Sequence, residues 1–115
     1  MNKVKVIYKG NSFSINAESS SFFRKFSGLM FRPASTSSLL FAFAKPKKVS
    51  LHSIFVFFDF LILWIGEKNK VVDFRLARPF KMLLSSDKKC LKILEIPLNS
   101  RNKRIIRFFV GNKKI

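Results

Sequence analysis

The sequence predicts a mainly β fold in one domain, 1–115, with short connections and one short helix in its N-terminal half. Three observations predict it. Apolar and polar residues alternate from the first residues onward, and β-branched and aromatic runs recur between polar breaks. Neither a βαβ rhythm nor a glycine-rich loop is present, which excludes a parallel nucleotide-binding sheet. A chain of 115 residues that is 48% hydrophobic, with 15 phenylalanines, can bury a core without disulfides or a metal.

The N-terminal stretch MNKVKVIYKG alternates Val4, Val6 and Tyr8 with lysines, and Phe13, Ile15 and Ala17 alternate in the same way after Gly10-Asn11. A two-residue loop at 10–11 pairs Tyr8 with Phe13, Val6 with Ile15 and Val4 with Ala17, so one face of a hairpin is apolar. In SSSFFRKFSGLM (19–30) the period changes. Phe22, Phe23, Phe26, Leu29 and Met30 recur at helical spacing after serines able to N-cap, and Gly28 can close the last turn. Arg32-Pro33 ends regular structure, 34–38 is a loop, and LLFAFA (39–44) reads as a buried strand.

LHSIFVFFDFLILWIG (51–66) is the most apolar stretch. It has 16 residues with His52 and Asp59 inside, whereas a membrane-spanning helix takes about 20 apolar residues. An ionised group at mid-bilayer costs at least about 2.5 kcal/mol. The stretch therefore reads as two strands, buried on both faces and interrupted near Asp59, with the phenylalanines of FVFF (55–58) in the core. GEKNK (66–70) is a polar turn, VVDF the return strand, 77–86 irregular around Pro79, and CLKILEI (90–96) a strand stopped by Pro97. The tail RNKRIIRFFVGNKKI is compatible with a helical turn over 101–107 and a final strand, or with one strand throughout.

Lys and Arg total 23 against six acids, a formal charge of +17. Such a surface attracts polyanions without sequence-specific contacts, although AT-biased coding also favours Lys, Phe, Ile and Asn. The densest tail cluster, Arg101, Lys103, Arg104 and Arg107, is the candidate polyanion contact, and non-specific nucleic acid the corresponding partner. Cys90 is the only cysteine and His52 the only histidine, too few for a structural zinc site; no metal or cofactor is expected. His52 and Ser53, adjacent on an expected strand, point to opposite faces and make no catalytic pair. A lone cysteine and no apolar segment behind the basic N-terminus predict a cytoplasmic protein without a signal peptide. Asp59, between two phenylalanines, is costly to bury unless an arginine such as Arg32 or Arg78 pairs with it.

GLMFR (28–32) after an amphipathic helix, LLFAFAKP (39–46) with LHSIFVFF (51–58), and VVD (71–73) with LEIP (94–97) and VGNKKI (110–115) together resemble domain-of-unknown-function family 192, in its short archaeal-type members. The resemblance implies an antiparallel β sandwich or barrel of jelly-roll type and no established activity. The chain departs from the family pattern at Asp59-Phe60-Leu61, where Pro-x-Asp is usual, and at Gly111-Asn112, where Gly-Asp is usual. Ile54 and Phe55 stand where bacterial relatives carry polar residues. Arg32 then emerges beside the sheet, where it grips either Asp59 or a ligand anion.

The functional expectation is a small binding or interaction module rather than an enzyme. Its apolar pocket is flanked by Arg32, His52, Asp59 and Arg78 and takes a small ligand or anionic partner. The alternative is a basic protein that contacts the RNA or DNA backbone.

Overall fold

The computed structural model describes residues 2–19, 29, 32–53 and 55–111. A hairpin opens the fold, β1 (Asn2–Tyr8) pairing antiparallel with β2 (Asn11–Ser19). Its turn is Lys9-Gly10, not the expected Gly10-Asn11. Both residues have positive φ, 48° and 80°, as a type I′ turn requires. Val4 therefore faces Ile15, Val6 faces Phe13 and Tyr8 faces Asn11. The register differs from the expected one by two residues, and a shift of two preserves the apolar face, so the alternating pattern could not distinguish them.

Five more strands follow in the described chain before the last long one. They are β3 (Ser38–Lys47), the two-residue β4 (Ser50–Leu51), β5 (Phe60–Ile65), β6 (Val71–Ala77) and the two-residue β7 (Leu84–Ser85); β8 (Cys90–Pro97) precedes helix α1 (Lys103–Val110). The main sheet has the order β1-β2-β3-β8-β5-β6, and β4 and β7 form a separate two-stranded sheet. β2 and β3 pair in parallel, the other strand pairs antiparallel. A parallel bridge between Ile7 and Lys70 brings β1 to the start of β6, so the mixed sheet curls into a half-barrel. The expectation of a mainly β fold holds, and the antiparallel pairing holds for every strand pair except β2–β3, which makes the sheet mixed.

Two apolar clusters occupy the two faces of the sheet. Val4, Val6, Ile15, Ala17, Leu61, Leu63, Ile65, Leu94 and Ile96 meet Ile106 and Phe109 of α1 on one face. Leu29, Leu39, Phe41, Val56, Phe60, Ile62, Trp64, Leu84, Cys90 and Ile93 form the other. β5 serves both, because its successive side chains alternate between them and all six are buried. Trp64 Nε1 donates to the Val49 carbonyl at 3.1 Å, tying the small sheet to the large one.

Two expectations about the apolar stretch and the tail are corrected. Only Ser50–Leu51 and Phe60–Ile65 are strand among the described residues; 52–53 and 55–59 are irregular, with Val56 buried but Phe55 and Phe57 exposed. Those two phenylalanines are not core. The tail is helical over Lys103–Val110 and ends at Gly111, whose φ of 81° suits a C′ position and whose N–H donates to the Arg107 carbonyl. No final strand follows within the described residues. Helical spacing of Ile106 and Phe109, beside ring contacts of Phe109 with Tyr8 (5.0 Å) and Phe74 (5.2 Å), explains why helix wins over strand. Of the helix expected over 19–30, Ser19 is the last residue of β2 and Leu29 is buried; the rest, Gly28 included, lies outside the described residues.

The turn supplies a stability test. Lys9→Asn should stabilise the protein by about 0.5–1 kcal/mol, because Asn tolerates positive φ better than Lys, while Gly10→Ala should destabilise it by about 1 kcal/mol or more. Urea unfolding of both variants checks the turn position.

Candidate functional site

The residues expected to flank one pocket are divided between separate interactions. Arg78 Nη1 donates to Asp59 Oδ2 at 2.7 Å, an ion pair in which Asp59 is the more buried partner. Phe60 pairs with Ala77 in the sheet, so the residues just outside that pair, 59 and 78, are neighbours by register. Arg32 does not reach Asp59. Its Nη1 lies 3.8 Å from Glu18 Oε2 and donates to Thr36 Oγ1 at 3.3 Å. His52 is half-buried just past β4. Arg78 also lines a shallow apolar depression with Phe74, Leu76, Phe109 and Val110, and the other three residues do not.

A larger groove, about 630 Å³, lies between β2 and the start of α1. It exists because the β2–β3 register covers only Ala17–Ser19, so Ser12–Asn16 have no strand of β3 beside them. Ser12, Ser14, Asn16 and Ser37 give the groove hydroxyl and amide groups, Phe13 and Ile15, on the other face of β2, an apolar side, and Arg101 and Arg104 its positive charge. The turn before α1 holds these arginines in place. Asn99 Oδ1 accepts from the Arg101 and Asn102 amides at 3.1 and 3.2 Å, and Asn102 Nδ2 donates to the Pro97 carbonyl at 2.9 Å. Arg101 Nη2 donates to the Ser35 and Thr36 carbonyls, which binds the 34–36 turn to the same edge. Of the four tail cations, Arg101 and Arg104 line the groove; Lys103 and Arg107 are exposed outside it.

Sequence reasoning missed Glu95. It sits in β8 between Leu39 of β3 and Ile62 of β5, is only 4% exposed, and its Oε1 makes no hydrogen bond. Burial pushes its carboxyl up to about 8, against the opposing pull of Arg32. The signal was present in parity. In LEIP, Glu95 shares a face with Ile93, and an acid on an inward position of a doubly buried strand marks a special environment. The register row Glu18–Leu39–Glu95 places two acids around the Arg32 side of the sheet. By contrast Cys90 is an inert core thiol, pushed up to about 11 by burial with Lys47 opposing. Asp73 is structural, its carboxylate accepting from the Phe74 amide at 2.8 Å and the Ser86 hydroxyl at 2.6 Å.

The family model of DUF192, described as "Uncharacterized ACR", matches residues 6–108. The chain belongs to DUF192. No curated protein matches it. Two solved structures share its fold, each with a TM-score of 0.74 and 19% identity over 90% of this chain. One is a "putative transcription regulator" from Sinorhizobium meliloti, 84% covered; the other is a protein of unknown function from Novosphingobium aromaticivorans, 76% covered. These likenesses show the fold of this DUF192 chain and no reaction. No described helix is long and apolar enough to cross a membrane.

Glu95 gives stability a pH dependence of known sign. Between about 4.5 and 8 the unfolded carboxyl ionises while the folded one keeps its proton, so stability falls as pH rises through that window. Glu95→Gln removes the titration. It should match wild type near pH 4.5 and exceed it by more than about 1 kcal/mol at pH 8.5, measured by denaturant unfolding.

Proposed function

We propose that this DUF192 protein is a binding module that captures a small anionic ligand in the groove between β2 and α1. The observation that carries the reading is that Arg101 and Arg104 line the same groove as the unpaired edge of β2, with Ser12, Ser14, Asn16 and Ser37 on its polar side and Phe13 and Ile15 on its apolar side. Small-ligand sites span roughly 300–1,000 Å³ and combine an apolar floor with a few polar groups, and this groove fits that range. Guanidinium groups recognise carboxylate and phosphate through parallel hydrogen bonds, which suits an oxyanion better than a neutral ligand. The site lacks an acid–base pair among its lining residues, so binding rather than turnover is the reading it supports. The four residues Arg32, His52, Asp59 and Arg78 take no direct part in it.

A second reading is contact with the phosphate backbone of RNA or DNA. It is favoured by Lys103, Arg104 and Arg107, exposed along α1 after Arg101, and it agrees with the regulator name carried by the Sinorhizobium meliloti protein. The two readings divide at Arg107, which a groove ligand does not need and an extended backbone would use.

Thermal-shift and calorimetric titrations with inorganic phosphate, citrate and nucleoside monophosphates test the first reading. At least one of these should raise the melting temperature, Arg104→Ala should weaken it about tenfold or more, and Arg107→Ala less than about twofold. No shift with any anion, or equal losses from both variants, would refute the groove. Single-stranded RNA held more tightly than heparin at near-physiological salt, with both variants impaired, would favour the second reading instead.

A further inference from the structure

Two irregular stretches, 55–59 with Ser53 ahead of it and 78–83, are joined beyond the small β4–β7 sheet and expose large apolar side chains. Met82 is 76% exposed, Leu83 66%, Phe57 60%, Phe80 57% and Phe55 44%. Scattered exposed apolar residues are ordinary, but here they lie on two joined loops: Phe57 of one and Phe80 of the other meet edge to face at 5.5 Å. The loops hold one another firmly. Ser53, fully buried, donates its amide to the Lys81 carbonyl at 2.8 Å, and its own carbonyl accepts from the Phe80 amide at 2.8 Å. Its hydroxyl donates to the Arg78 carbonyl and accepts from the Lys81 amide at 2.7 Å. Val56, buried in the core between Phe55 and Phe57, anchors the first loop from below.

The backbone is strained to keep this arrangement. Phe55 and Phe80 both have φ of 63°, a left-handed conformation unfavourable for a bulky aromatic residue. In that conformation both rings remain exposed rather than folding back into the core. A cation borders the patch: Lys81 stands between Phe80 and Met82, while Arg78, half-exposed at the root of the second loop, is paired with Asp59 of the first.

We propose that this patch docks the protein onto an anionic phospholipid surface. The phenyl, thioether and leucyl tips enter the boundary between headgroups and acyl chains, while Lys81, supported by the +17 of the whole chain, lies among the headgroups. Two features select this occupant. The two most exposed side chains, Met82 and Leu83, are flexible and non-aromatic and suit acyl chains, whereas only Phe55, Phe57 and Phe80 offer a face to which a base could stack. A second copy of the chain would bring another +17 against the first, whereas an anionic bilayer attracts that charge and accepts apolar tips.

Flotation with phosphatidylcholine vesicles, with and without about 30% phosphatidylglycerol, tests the proposal, since anionic lipid draws basic surfaces to the bilayer. The wild-type protein should float with the anionic vesicles at near-physiological salt and weakly or not at all with neutral ones. The double variant Met82→Ser, Leu83→Ser should partition about tenfold or more weaker to the anionic vesicles, because the apolar tips no longer insert. Both substituted residues are exposed, and the fluorescence of buried Trp64 together with the melting temperature checks that the variant is folded. Absence of wild-type binding overturns the proposal, and so does equal binding of wild type and double variant, which would mean adsorption by net charge. Light scattering that shows wild-type dimers dispersed by the double variant also overturns it and assigns the patch to a second copy.

Discussion

The burial of β5 on both faces is the constraint on which the rest of the structure depends. Phe60, Ile62 and Trp64 enter one cluster and Leu61, Leu63 and Ile65 the other, so both layers of the molecule are nailed to a single six-residue strand. Each such side chain contributes roughly 1.5–3 kcal/mol on burial, and no six-residue strand can collect that from both sides unless something covers each face. α1 and the β1–β2 hairpin cover one; the 52–59 segment, β4 and β7 cover the other. The half-barrel curvature follows from the same need, since a flat sheet would leave β1 too far from β6 for the Ile7–Lys70 bridge that closes the first cluster.

Charge is arranged around that constraint. With 23 cations and six acids, most positive groups must lie in water without an acidic partner. The few acids are therefore informative about where the chain invests negative charge. Asp59 ties Arg78 across the β5–β6 end, Asp73 organises the approach to β7 by accepting from Ser86, and Glu18 lies near Arg32. Glu95 alone among the described acids is fully enclosed, and burial outweighs the Arg32 charge enough to favour its protonated form. The exposed ion pairs add little stability; their effect is to aim particular arginines. Arg101 is aimed differently, by two backbone carbonyls, and this leaves Arg104 as the groove cation with no described backbone anchor of that kind.

Much of the scaffold was legible in the sequence, for identifiable reasons. Period-two alternation marked β1 and β2, and the recurring apolar runs marked a mainly β chain, because both record which side chains must be inside. Where the sequence misled, local pattern was degenerate. A two-residue register shift leaves every apolar residue of the hairpin on its face, and only the φ values of Lys9 and Gly10 decide the turn. IFVFF has strand-like composition, yet Ser53 spends its backbone groups on Lys81 and Phe80 instead of a neighbouring strand. The tail carries both periodicities, and tertiary contact with Tyr8 and Phe74 selects helix. At the level of sites, Arg78 with Asp59 was visible as an acid seeking an arginine. The groove was not, because it arises from a gap between β2 and β3 that no local motif encodes.

Departures from local rules are themselves unevenly distributed. Within the main sheet the strands agree with their patterns, apart from the buried acid Glu95 in β8 and the register shifts in β3 and near Ile65. Turns account for Lys9, Lys68 and Asn69 at positive φ, where a sharp reversal needs such a residue. Phe55 and Phe80 also sit in turns, but at φ of 63° each places a bulky aromatic side chain where glycine or asparagine is the easier residue. Phe80 could relax to an ordinary conformation only by giving up its amide's hydrogen bond to the Ser53 carbonyl, and both phenylalanines present exposed rings that the core does not require. A fold that holds two bulky residues in costly conformations, using a fully buried serine as the clasp, is spending stability on the shape of a surface. Packing alone would have favoured the opposite arrangement, with those rings turned inward and the loop ends polar.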